Sequence, residues 1–174
     1  TSDGGYIVAG AWDSCKPWVI KTDANGNIEW EKKFLEIPSP YGVNESIGFL
    51  HSIRETADGG YIVVGDADAY YLWMGKLDRN GSLEWCREYP LFFFYTSGCD
   101  VVQAEDGGYV VLVFCEPKLP ILLWLLDMLY PDLFPHLEEN SNILLMKTDS
   151  EGMIDEGAFT IKNLVYFLWS RLVG

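Results

Sequence analysis

At 174 residues, with 49% hydrophobic and 15% aromatic residues, the chain has enough apolar material for one packed domain, which excludes a disordered tail. Lys+Arg 12 against Asp+Glu 26 leave a formal net charge of -14. That charge would repel a phosphate backbone or an anionic lipid surface, so nucleic acid and acidic membranes are excluded as partners. The chain opens Thr1-Ser2-Asp3-Gly4-Gly5, without Met or an apolar leader, and reads as a mature product or a fragment. The longest nearly uncharged stretch, Leu119 to Pro131, is interrupted by Asp127 and is shorter than the roughly 18–20 residues that cross a bilayer, so no transmembrane segment is expected.

In chain order, the first elements are an Asp3-Gly4-Gly5 turn, an apolar run from Tyr6 to Gly10, a second run from Trp18 to Asp23, an Asp23-Ala24-Asn25-Gly26 turn and an alternating strand through Trp30. The same series then returns. Asp58-Gly59-Gly60-Tyr61 follows a strand at Ser52–Thr56 and leads into Ile62-Val63-Val64-Gly65, then Trp73 to Asp78, the Asp78-Arg79-Asn80-Gly81 turn and Trp85. The third copy has Asp106-Gly107-Gly108-Tyr109, then Leu144 to Asp149 and the turn Asp149-Ser150-Glu151-Gly152, with Glu156 in the place of the tryptophan. Three blocks recurring in one order are a tandem repeat.

Short runs rich in Val, Ile, Tyr and Trp between Gly, Asn and Asp are strands. Glycine in the turns, at Gly4, Gly5, Gly26, Gly59, Gly60, Gly81, Gly107, Gly108 and Gly152, accepts the positive φ of a tight hairpin. One unit therefore reads as a four-stranded antiparallel meander of about fifty residues, the size of a propeller blade. The Tyr6 and Tyr61 runs are apolar without alternation, which predicts strands covered on both faces. The fold class is all-β, with about three four-stranded blades. Blade one spans 1–34, blade two 50–89 and blade three 99–159, the last with an insertion at 117–139. The apolar segment 160–174 is a candidate closing strand for blade one, which lacks most of its opening strand. Three blades do not close a ring, so the set is incomplete or is completed by oligomerisation.

Asp23-x-x-Gly26-x-x-x-Trp30 and Asp78-x-x-Gly81-x-x-x-Trp85 resemble the tryptophan-docking motif of quinoprotein-type β-propellers. The whole unit is similar to the tandem repeats of secreted bacterial and archaeal propeller proteins. The resemblance covers most of residues 1–115 and 143–159. It implies that Trp30 and Trp85 pack on the adjacent blade, that Glu156 deprives blade three of this contact, and that the protein is extracellular or on the cell surface. It does not carry an activity across. No convergent cationic and carboxylate groups for a quinone are apparent, so no cofactor is expected.

From Asp58 to Lys76 the step is 18 residues, whereas from Asp106 to Lys147 it is 41. The surplus holds an apolar run with Pro120 at its start and Pro131 at its stop, which predicts a short helix over 121–130. Apolar nearly all round, it reads as a cover for an open blade edge or as a partner-docking element, with Trp124, Leu125, Met128, Tyr130 and Phe134 as its contacts. A second, smaller surplus holds Pro38-Ser39-Pro40-Tyr41-Gly42 and reads as a surface loop.

Candidates for chemistry are sparse. His51 and His136 are isolated, no serine or cysteine sits in a nucleophile elbow, and a metal set of Asp132, His136, Glu138 and Glu139 is outweighed by a structural reading. The Asp-x-Asn-Gly turns read as hairpins rather than calcium loops. Asp66, Asp68, Tyr70 and Tyr71 read as a solvated loop, with sugar stacking as the alternative. Cys15, Cys86, Cys99 and Cys115 have no close pairing, so they read as free buried thiols, although a secreted protein would permit one disulfide. The expected role is a non-enzymatic scaffold that binds another protein or closes a ring with itself. The alternative is part of a quinoprotein-like or carbohydrate-active propeller, with a glycan as ligand.

Overall fold

The structure is a computed structural model. It describes residues 1–13, 16–34, 48–67, 71–89, 94–117 and 142–161, with the backbone alone at 94, 116–117, 142 and 155–161. Eleven strands form three antiparallel sheets, and there is no helix among the described residues. The first sheet holds β1 (Tyr6–Trp12), β2 (Lys16–Thr22) and β3 (Ile28–Lys33) in that order. The second holds β4 (Leu50–Glu55), β5 (Tyr61–Ala67), β6 (Tyr71–Leu77) and β7 (Leu83–Tyr89), again in chain order. The third holds β8 (Phe94–Gln103), β9 (Tyr109–Pro117), β10 (Asn142–Thr148) and β11 (Ile154–Ile161). The all-β expectation and the repeated antiparallel unit are met.

The turns show why the repeat folds the same way each time. Gly4, Gly59 and Gly107 stand at φ 85°, 80° and 84°. Each donates its N–H to the carbonyl three residues back, that of Thr1, Thr56 and Ala104. The second glycine of each pair has another reason to be there. A Cβ on Gly5, Gly60 or Gly108 would lie 2.1 to 2.4 Å from the carbonyl oxygen of Thr22, Leu77 or Thr148, and 2.4 to 2.7 Å from a lysine ammonium. The expectation that all these glycines serve a positive φ is therefore corrected. Gly4, Gly26, Gly59, Gly81, Gly107 and Gly152 do, whereas a side chain at Gly5, Gly60 or Gly108 would strike a backbone carbonyl and the lysine beside it.

In the second hairpin the turn aspartate works on its own backbone. Asp23 Oδ1 accepts the N–H groups of Asn25 and Asn27, Asp78 those of Asn80 and Ser82, and Asp149 those of Glu151 and Met153. The aspartate–asparagine–glycine chemistry is thereby used within the turn. A register shift recurs just before it in every sheet, at Lys21/Thr22, Lys76/Leu77 and Met146/Thr148.

Two apolar cores separate the three sheets. Alternate residues of β5 divide between them: Tyr61 and Val63 face the first sheet, with Val19, Ile7 and Trp30, while Ile62 and Val64 face the third, with Tyr109, Val111 and Met146. The second sheet is thus covered on both faces, as its unbroken apolar sequence requires.

Several details differ from the sequence reading. The Tyr6 run is covered on one face only, because among the described residues no sheet lies against the side carrying Tyr6 and Val8. The third unit begins at Phe94 rather than at 99, and Thr160 and Ile161 belong to its fourth strand, paired with Leu145 and Leu144, instead of to a separate closing segment. Asp66 and Tyr71 lie in β5 and β6 rather than in a loop. Of the described cysteines, Cys115 is buried, Cys86 half-buried and Cys99 exposed, so the expectation of uniformly buried thiols is corrected. The helix expected over 121–130, the loop at 38–42, Cys15, Asp68, Tyr70, His136 and residues 162–174 lie outside the described residues. No helix among the described residues is long and apolar enough to cross a membrane.

Candidate functional site

The chemistry of the chain is concentrated at the seams between sheets. Each seam is built from one unit's tryptophan and the next unit's turn. Trp30 stands edge-on to Tyr61, ring centroids 5.8 Å apart, and Trp85 stands tilted against Tyr109 at 6.0 Å. The same indoles lie over the turn glycines of the next unit. A Cβ on Gly81 would meet the Trp30 ring at 2.7 Å, and one on Gly152 would meet Trp85 at 2.8 Å. The equivalent space over Gly26 is open. Tyr89 adds a hydrogen bond across the second seam, its hydroxyl donating to the Gly152 carbonyl at 2.6 Å, and burial raises its pKa. Tyr109 is likewise raised, to about 12, by burial.

A polar clasp repeats beside these rings. The Ser2 N–H donates to the Glu55 carboxylate at 2.5 Å, and the Ala57 N–H donates to Gln103 Oε1 at 2.8 Å. Both donors stand one residue before the turn aspartate and both acceptors three before it. Ser52 and Arg54 also reach across the second seam to Asp100, at 2.5 and 3.1 Å.

Under each Asp-Gly-Gly turn runs a lysine from the third strand of the repeat. Lys21 Nζ contacts Asp3 at 2.7 Å, Glu29 at 2.8 Å and the Thr22 carbonyl at 2.9 Å. Lys76 repeats the set with Asp58 at 2.9 Å, Glu84 at 3.1 Å and the Leu77 carbonyl at 3.2 Å. Lys147 contacts Asp106 at 2.8 Å and the Thr148 carbonyl at 3.0 Å. Burial opposes the charge of Lys21, but the hydrogen bonds to Asp3 and Glu29 outweigh it and raise its pKa. The carboxyl of Asp3 is held well below the usual range, first by Lys21 and then by the Thr1 hydroxyl and the Gly5 N–H. Asp58 is depressed by the Thr56 hydroxyl and then by Lys76, and Asp106 by Lys147.

A cleft of about 300 Å³ opens at the first seam, lined by Asp3, Lys21, Glu29, Trp30, Tyr61 and Arg79 among others. Its lysine and two of its carboxylates are already engaged with one another. His51 Nε2 lies 2.9 Å from Asp66 Oδ1, which also accepts the Phe49 N–H, an arrangement that fixes the start of β4. Among the described residues no group of three or more His, Cys, Asp or Glu is placed to hold a metal ion.

The two end faces form the other distinctive surface. Tyr6 is 59% exposed, whereas its repeat equivalents Tyr61 and Tyr109 are 3% and 2% exposed. Ile143 and Leu145 are 63% and 48% exposed, whereas the equivalent Leu72 and Met74 are at 1% and 0%. Val8 on the first sheet and Val102 and Phe114 on the third enlarge these patches. These exposed apolar side chains lie side by side on each sheet.

The structure thus brings Trp30 to Gly81 and Trp85 to Gly152, and leaves Trp124, Leu125, Met128, Tyr130 and Phe134 outside the described residues. The lysine networks and the clasps were missed in the sequence, whereas open apolar end faces follow from three units that do not close a ring. A signal for the networks was present: Lys21 and Lys76 each stand 18 residues after the turn aspartate and eight before a glutamate. Comparison with known proteins finds no family model and no curated protein that matches the chain.

Proposed function

We propose that the chain is a run of β-propeller blades serving as a protein-binding or surface-assembly scaffold, with no reaction of its own. The observation that carries this reading is the pair of exposed apolar end faces, each the repeat equivalent of a face buried inside the molecule. The equivalent positions of Trp30 and Trp85, each against the next unit's turn, support the tryptophan-docking blade. The similarity to repeats of exported proteins supports a place outside the cell or on its surface. The seam cleft speaks against a quinone or sugar site there, because its lysine is already paired with carboxylates and a carbonyl.

Two measurements together test the reading. Light scattering on the purified chain should give a mass above the 19.7 kDa of one copy, and a glycan array with a calcium titration should give no saturable binding. Saturable glycan binding by a monomeric chain, abolished by Trp30→Ala or Arg79→Ala, would replace the scaffold by the carbohydrate-binding reading.

A further inference from the structure

We infer that the outer face of the third sheet of one copy receives the outer face of the first sheet of a second copy, head to tail. The inference rests on the scaffold reading and adds a partner and a polarity to it.

Each sheet has a preceding-side face and a following-side face. In the second sheet the preceding side carries Tyr61, Val63 and Trp73, and the following side carries Ile62, Val64, Leu72 and Met74. At both internal seams a following-side face meets a preceding-side face. Ile7, Ala9 and Val19 of the first sheet meet Tyr61 and Val63. Ile62, Val64, Leu72 and Met74 of the second meet Tyr109 and Val111. Among the described residues, the two faces left bare are one of each kind. Tyr6, Val8 and Trp18 stand at the positions of Tyr61, Val63 and Trp73, and Ile143 and Leu145 at those of Leu72 and Met74.

The lysines report the same polarity. Lys21 and Lys76 share the following side with Val19 and Met74, and their side chains are 3% and 5% exposed beneath the next sheet. Lys147 stands at the same position with no described sheet over it, and 25% of its side chain is exposed. The open space over Gly26, where Gly81 and Gly152 each take an indole, marks the complementary vacancy on the first sheet.

A surface that joins its complement elsewhere on the same molecule makes a heterologous contact, which closes into a ring or extends as a filament. Two copies meeting face to face through like ends would instead pair following side with following side, or preceding side with preceding side, and neither internal seam uses either combination. Glu156 stands where Trp30 and Trp85 stand in the other units, so the seam between copies lacks their indole and is weaker than the two internal ones.

The test uses two double variants of the whole chain. Ile143→Asp with Leu145→Asp blocks the third-sheet face, and Tyr6→Asp with Val8→Asp blocks the first-sheet face. All four side chains are exposed, and an unchanged far-ultraviolet β spectrum checks that each variant folds. Light scattering should give the unaltered chain a mass that rises with concentration, and each variant alone the 19.7 kDa of one copy. An equimolar mixture should reach about twice that mass and no more, because one competent seam remains. Self-association of either variant alone, or a mixture that stays monomeric, overturns the head-to-tail polarity and leaves the scaffold reading standing. An unaltered chain that stays monomeric at millimolar concentration overturns the self-association itself. As a second check, Leu145→Lys combined with Val8→Glu in one chain should recover the association that Leu145→Lys alone loses.

Discussion

The stacking of the sheets can be tested at two glycines that differ only in what lies above them. Gly26 and Gly81 close equivalent turns at φ 85° and 77°. Alanine at either position meets the left-handed penalty of about 1–2 kcal/mol, and the lost entropy of the unfolded chain is the same for both. A Cβ at Gly26 would have nothing within 4 Å, whereas one at Gly81 would meet the Trp30 ring at 2.7 Å and Lys32 Cγ at 2.9 Å. Contacts that short force the ring to shift, an overpacking cost of about 1–3 kcal/mol. Gly81→Ala should therefore destabilise by about 1–3 kcal/mol more than Gly26→Ala in urea unfolding. Adding Trp30→Ala should remove most of that excess, since it removes the obstructing ring, and a double-mutant cycle reads the coupling directly. Equal costs at the two glycines, or an excess that persists without Trp30, would refute the seam geometry.

Further consequences follow from the lysine networks and the thiols. Because Asp3, Asp58 and Asp106 are depressed, the unfolded chain takes up their protons first as the pH falls. Their contribution is complete above the ordinary carboxylate range, about pH 4 and higher, and is lost as the pH falls toward their native values. The urea midpoint should drop from pH 6 to pH 3, and Asp58→Asn should lower it at pH 6 while shrinking the drop; an undiminished drop would remove Asp58 from the account. Lys76→Met leaves the Leu77 carbonyl without its ammonium donor and unpairs Asp58 and Glu84, whose carboxylates are exposed, at a cost of about 1–3 kcal/mol. Lys147→Met, at the more exposed position, should cost less by the same urea measurement. Tyr89→Phe deprives the buried Gly152 carbonyl of its donor and should cost about 1–2 kcal/mol. Cys99 should react with a thiol reagent in the folded protein, while Cys115, buried and raised to about 11 by burial, should react only on unfolding.

What was legible in the sequence was what is decided locally. Asp-Gly-Gly and Asp-x-x-Gly fix hairpins through bonds spanning three or four residues, so the strand order of each unit followed from their spacing. The role of Gly60 was not legible, because the carbonyl and the lysine that exclude a side chain there come from positions 77 and 76. The bare face of β1 was hidden for a related reason. Tyr6-Ile7-Val8-Ala9 and Tyr61-Ile62-Val63-Val64 are nearly the same sequence, and only the presence of a neighbouring sheet separates an exposed Tyr6 from a buried Tyr61. Exposure in a repeat is a property of position in the stack, not of the unit. Trp30 and Trp85 were singled out by spacing, whereas their meeting with Gly81 and Gly152 needed the structure.

The most direct measurement is the proton chemical shift of the turn glycines. If like sheets stack through their tryptophans, the Cα protons of Gly81 and Gly152 lie against the indole rings of Trp30 and Trp85. They should then be displaced from ordinary values by the ring currents and show through-space cross-peaks to the indole ring protons, while those of Gly26 remain at ordinary values. Ordinary shifts at all three glycines, with no cross-peak from Trp30 to Gly81, would contradict the stacked arrangement from which the end faces were deduced.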